Sequence, residues 1–159
     1  MFNIGIDFGS TYTTVSAYRN ETEKLETVVL GLGTPYIPTI AGGKVGSLDG
    51  LRYGSAAKGI IGRKDHVLYK AFKMLLTEKK TELLRERGYT EEITPAVVAE
   101  KFLTDLIQRV LEHYGEKEID HVVIGAPEIW FKGVDSLSGR SILRNIFEKM
   151  DCVKEGQVV

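Results

Sequence analysis

The chain has 159 residues, 43% of them apolar and 27% charged, with a net charge of −1. That is about one domain of ordinary globular composition, long enough to bury a sizeable core. The near-neutral balance excludes a basic field that would draw nucleic acid or anionic lipid.

Residues 3–8 and 13–19 read as two antiparallel strands joined by a turn at 9–12, because Ile4, Ile6 and Phe8 alternate with smaller or polar residues. The polar stretch 20–26 predicts a second turn, and 26–30 a third strand. Residues 31–50 are broken by Gly and Pro and hold at most short strands near 39–41 and 44–46. A short helix is predicted over 53–61, which carries Ala56 and Ala57. The stretch 67–76 reads as helix, continuing through 77–87 until Gly88 stops it. Its locally basic part, 70–87, is interleaved with glutamates and reads as a solvated helical face.

Thr94-Pro95 is a helix start, a hydroxyl cap followed by proline at the first helical position. Val98, Phe102, Leu103, Leu106, Val110 and Leu111 then keep one face apolar until Tyr114-Gly115 closes the helix. Residues 119–126, with Val122, Val123 and Ile124 in a row, predict a strand covered on both faces. Ser138 caps a last predicted helix reaching Met150, and 157–159 reads as a strand just begun. Trp130-Phe131 reads as a strand-end core anchor, with an exposed partner surface as the alternative. This order predicts an α/β fold, a mixed sheet with flanking helices. The unfinished strand points to a fragment of a longer protein and leaves a sheet edge that invites pairing between copies.

The lone cysteine, Cys152, excludes an internal disulfide and fits a reducing compartment, where it reads as a small buried hydrophobe. Asp7 interrupts the first apolar run, unlike a secretory signal. No apolar stretch approaches the roughly 18 residues needed to span a bilayer. The expectation is a soluble, cytoplasmic protein without nucleic-acid or membrane partners. His66, His113 and His121 have no metal-ligand spacing with each other or with Cys152.

The chemistry concentrates in Gly5-Ile6-Asp7-Phe8-Gly9-Ser10-Thr11-Tyr12-Thr13. Backbone N–H groups at a glycine-containing turn can approach phosphate oxygens with no side chain in the way. Ser10 and Thr11 add small hydroxyl donors. Asp7 ends the first strand, and its carboxylate can face phosphates only if a cation intervenes. Magnesium suits that place, because it keeps several waters and takes few protein ligands. No Walker A loop occurs anywhere. The alternative use of the same residues is an ordinary hairpin whose Asp and Gly serve the turn.

The run from Ile4 to Thr13 resembles the first phosphate motif of the actin, sugar-kinase and heat-shock ATPase superfamily. Ile37-Pro38-Thr39-Ile40, Tyr53-Gly54-Ser55-Ala56-Ala57-Lys58, residues 69–76, Ile93-Thr94-Pro95, residues 122–131 and residues 139–159 follow in the order found in DnaK-type chaperones. The resemblance covers nearly the whole chain, but only the amino-terminal half of that family's ATPase domain. It implies a ribonuclease-H-like, actin-like ATPase fold with an incomplete domain. The core subdomain would comprise about 1–30 and 115–159, and an inserted subdomain with connecting helices about 31–114.

The implied cofactors are ATP or ADP and Mg2+. Asp7 would hold the magnesium through water and, with Lys73, carry the catalytic roles. Gly9, Ser10, Thr11 and Tyr12 would line the β- and γ-phosphates. Lys73 matches the lysine that reaches the γ-phosphate and attacking water, with Lys70 the rival position. Pro127 resembles a proline that couples nucleotide state to a neighbouring domain. The longer parent would hydrolyse ATP to control binding of unfolded peptide and would engage cochaperones. Two features depart from the family: Ile37 stands where Thr is usual, unless Thr34-Pro35 is the match, and residues 126–131 read Ala-Pro-Glu-Ile-Trp-Phe. The competing functions are a sugar or acid kinase of the same superfamily, an actin-like filament ATPase, and a non-catalytic member. With the second phosphate loop absent, weak ATP binding and no useful hydrolysis are expected of this chain alone.

Overall fold

The computed structural model describes residues 1–31, 33–126 and 138–159. Pro127 and the Trp130-Phe131 pair lie outside the described residues. Strand β1 (Phe2–Phe8) and strand β2 (Tyr12–Arg19) form the expected hairpin, registered Phe8 to Thr13 and Phe2 to Arg19. Strict alternation drives it: Phe2, Ile4, Ile6 and Phe8 are buried, while Asn3, Gly5 and Asp7 face away from the core. Strand β3 (Lys24–Thr27) pairs antiparallel with β2 two residues earlier than its sequence predicts. The apolar residues 28–30 that pulled the prediction forward are not wasted: Val28 is buried and its N–H donates to Val15 O at 2.8 Å.

Strand β4 (Ile37–Pro38) also pairs with β2, and β5 (Ala41–Lys44) centres a second, three-stranded sheet between β6 (Arg52–Tyr53) and β7 (His66–Tyr69). The short helix between β6 and β7 is a 3-10 helix, Gly54–Ile60.

The helix expected over 67–76 is not formed. Val67, Leu68 and Tyr69 instead pair with Gly43, Gly42 and Ala41 as β7, and a series of turns follows. β-Branched and aromatic residues take a strand when a partner strand is at hand, and that partner lies over twenty residues upstream. Ala71, at φ +53, breaks the backbone immediately afterwards. The only helix in the basic stretch is α1 (Thr81–Glu86), with no buried residue, so 70–87 is not one solvated helical face.

Helix α2 (Pro95–Tyr114) follows its capping signals closely. Thr94 Oγ1 accepts from Val97 N at 3.2 Å, and Gly115 ends the helix in the left-handed conformation. Strand β8 (His121–Ile124) joins β1 in parallel. It is not covered on both faces: Val122 is fully buried, but Val123 is 54% exposed. The sheet therefore has one packed and one open face at this strand. Helix α3 (Gly139–Glu148) starts at Ser138, whose Oγ accepts from Ser141 N at 3.3 Å. Beyond it, Val158 bridges Val122 in parallel, so 157–159 does begin a further strand beside β8.

The result is an α/β arrangement with a mixed sheet ordered β3-β2-β1-β8 and few helices. One buried cluster collects Phe8 from β1, Tyr69 from β7, Phe102 and Leu106 from α2, and Phe147 from α3. Cys152 is half-buried against this core and burial pushes its thiol pKa up, consistent with a packing role. No helix among the described residues is long and apolar enough to cross a membrane.

Two core tyrosines pack ring to ring at 5.1 Å, with different polar fates. Tyr89 OH donates to Lys70 O at 3.1 Å, whereas Tyr69 OH has no partner among the described residues. Leaving a buried hydroxyl unpaired costs about 1–3 kcal/mol. Tyr69→Phe is therefore expected to hold or raise stability in urea unfolding, and a clear loss would contradict this account. Burial also pushes the Tyr89 phenol pKa well above its ordinary value. Below about pH 10 folded and unfolded chains both keep that proton. Above it the unfolded chain releases its proton first, so stability falls as pH rises toward the raised folded value. Tyr89→Phe is expected to flatten that alkaline decline, measured as the melting temperature against pH.

Candidate functional site: the β1–β2 hairpin tip

The hairpin tip is shaped by one backbone approach. A Cβ added to Gly9 would lie 2.1 Å from the carbonyl oxygen of Tyr12, so only glycine fits there. The turn this allows puts Ser10 and Thr11 in solvent, with Tyr12 half exposed at the start of β2. The tip is braced from behind. Thr39 N donates to Thr11 O at 2.8 Å, and Thr13 and Thr39, both fully buried, share a hydroxyl hydrogen bond of 2.8 Å. Sequence reading missed Thr39 as a brace, because its partners lie 26 and 28 residues away and a lone threonine after Ile37-Pro38 signals only a strand.

Asp7 is exposed at the end of β1, on the face of the strand opposite the buried Ile6 and Phe8. Its neighbour Phe8 is fully buried and stacks near Phe72 and Phe102, with ring centroids 6.1 and 6.2 Å apart. Packing of Phe72 in turn fixes the residue after it. Lys73 Nζ donates to the Phe8 carbonyl and stands 5.7 Å from the Phe8 ring centroid. A side chain 65 residues downstream is thereby brought to the root of the hairpin. Burial lowers the Lys73 pKa, and the negative charge of Asp7 opposes that shift. Lys70, the rival position, is exposed, and its carbonyl serves Tyr89.

Asp7, Gly9, Ser10, Thr11, Tyr12 and Lys73 thus gather at one end of the β1–β2 hairpin. The group offers exposed turn amides and hydroxyls, one carboxylate and one half-buried ammonium. An exposed carboxylate without a bank of further acids suits a cation that keeps most of its water. Ile37 and Pro38 lie alongside as β4, opposite Thr13 and Tyr12.

A separate cleft of about 610 Å³ lies beside this tip and was not foreseen. Tyr36, Tyr53, Leu51, Asp105 and Arg109 line it, drawn from three separate segments. Burial raises the Asp105 pKa, partly offset by Arg109, whose Nη1 is 3.9 Å from Asp105 Oδ2. The cleft meets the hairpin through Tyr36, which packs edge-on against Tyr12 at 6.0 Å. The i,i+4 spacing of Asp105 and Arg109 was the only sequence signal for it. No protein-family model and no curated protein matches the chain significantly.

Proposed function

We propose that this chain is the phosphate-gripping lobe of an ATPase of the heat-shock chaperone type, with a ribonuclease-H-like, actin-like core. The observation that carries the reading is the docking of Lys73 onto the Phe8 carbonyl, beside Asp7 and one residue from a turn that only glycine can make. An ordinary surface hairpin has no need of a half-buried lysine at its root, where the ammonium loses hydration.

In this reading the amides and hydroxyls of the turn at 9–11 bind the β- and γ-phosphates, and the Tyr12 amide borders them. Asp7 would hold a hydrated magnesium ion through its water shell, and that ion would supply charge neutralisation to the phosphates. Lys73, beside Asp7, offers a proton donor and a positive charge that would offset the charge that grows during transfer to water. The desolvation that lowers the Lys73 pKa leaves its ammonium less tightly hydrated than a surface lysine. A longer parent would couple hydrolysis to the holding and release of unfolded peptide, assisted by cochaperones. A lobe that grips a nucleotide from one side leaves its other side in water, so affinity for Mg-ATP is expected to be weak, near millimolar, or about −4 kcal/mol.

The test is a titration with Mg-ATP followed by amide NMR. Residues 9–11 are expected to shift in the wild-type chain, and Lys73→Met is expected to weaken binding about tenfold, the loss of one charge-assisted contact. Micromolar affinity, or shifts that ignore Lys73→Met, would contradict the assignment.

A further inference from the structure

Charge is divided unevenly along this nearly neutral chain. Residues 44–90 carry eleven Lys and Arg against five Asp and Glu, leaving ten against seventeen elsewhere. Among the described residues there are six ion pairs, and none uses a cation of 44–90. Folding concentrates the excess. β7 and the end of α1 bring Arg63, Lys70, Arg85 and Arg87 around one open groove of about 610 Å³, with Glu86 as the sole carboxylate on its lining. The groove is not only basic. Val45 and Ile61 line it and stand 61% and 65% exposed.

We propose that this groove binds an acidic protein segment in which Glu or Asp alternates with aliphatic residues. Like charges held together without partners raise the free energy of the folded chain, and a complementary anion relieves it. Exposed Val45 and Ile61 give the same ligand apolar anchors that a simple anion would leave in water. A peptide is favoured over single-stranded nucleic acid, which needs exposed aromatic platforms for base stacking; no Phe, Tyr or Trp lines this groove. The groove is remote in composition from the hairpin tip and shares no residue with it, so the proposal stands apart from the nucleotide reading.

The test uses the 159-residue chain and a fluorescein-labelled peptide of interspersed Glu and Leu, with fluorescence anisotropy as the readout. The comparison probes are a Lys-for-Glu peptide, an oligothymidylate of matched charge and phosphatidylserine vesicles. The acidic peptide is expected to bind, and more weakly as salt rises. Arg63→Glu with Arg87→Glu is expected to weaken it on the order of tenfold, while Lys117→Glu with Lys149→Glu on the rest of the surface leaves it unchanged. Should the reversed pair fail to fold, as judged by thermal melting, Arg63→Gln with Arg87→Gln decides, with a smaller loss in the same direction. Absence of peptide binding, indifference to both variants, or tighter binding of oligothymidylate or vesicles than of the peptide would overturn the proposal.

Discussion

Phe72→Ala is expected to destabilise the chain by about 3–5 kcal/mol, the range for truncating a buried aromatic ring. Phe72 is fully buried, and its ring lies 6.1 Å from Phe8 and 5.5 Å from Phe102, so the cavity opens where β1, α2 and the turn after β7 meet. The consequence reaches the hairpin tip. Lys73 follows Phe72 directly, and with the ring gone its ammonium loses the packing that positions it against the Phe8 carbonyl. A chain that retains a folded state should therefore show Lys73 with a higher, more ordinary pKa, because the burial that lowers it is lost. Urea unfolding gives the stability and carbon-detected NMR of the lysine side chains gives the titration. Phe72→Leu keeps most of the volume and is expected to retain the lowered value. A Phe72→Ala chain as stable as wild type would show that the aromatic cluster does not hold this part of the fold together.

Gly9→Ala is expected to have the second largest effect, and a different one. The added methyl meets a backbone carbonyl, not a flexible side chain, at 2.1 Å. The Tyr12 oxygen cannot step aside without moving the start of β2, so the turn has to open. Overpacking of this kind costs about 1–3 kcal/mol. The damage is local: the β1–β2 ladder from Phe2 to Phe8 and the Thr13–Thr39 hydroxyl bond lie behind the turn. The folded variant is expected to keep the circular dichroism of the parent while the Mg-ATP-induced shifts at 10 and 11 disappear. Full phosphate binding with alanine at this position would mean that the close approach of Gly9 to Tyr12 is dispensable.

The hairpin and the two capped helices were legible because their signals are local. Alternation over seven residues makes β1, and Thr94, Pro95 and Gly115 mark the ends of α2 within one turn of each. Ser138 does the same for α3. The failures are non-local. Residues 67–69 could serve either period, and pairing with Gly42 and Gly43 decides for strand. The open face at Val123 depends on what packs over β8, which no run of β-branched residues reveals.

The candidate site divides in the same way. The glycine turn and Asp7 are contiguous and could be read as a unit. Lys73 and Lys70 are equivalent in the local pattern, and only packing of Phe72 against Phe8 separates the docked lysine from the exposed one. Thr39, the Tyr36–Tyr53 cleft and the basic groove are assembled from segments tens of residues apart, so composition alone could not gather them. Net charge was misleading in this respect: a value of −1 averages an excess of cations within residues 44–90 against acids elsewhere.

In the proposed function the tip of the β1–β2 hairpin holds nucleotide phosphates with a hydrated divalent cation beside Asp7. Paramagnetic Mn2+ added with ATP reports the position of that cation directly, because it broadens the amides nearest to it. The account predicts selective broadening at residues 7–12, reversed by excess Mg2+ and absent in Asp7→Asn. Broadening centred on Asp105 and the Tyr53 cleft, or broadening at the hairpin that persists in Asp7→Asn, would contradict it.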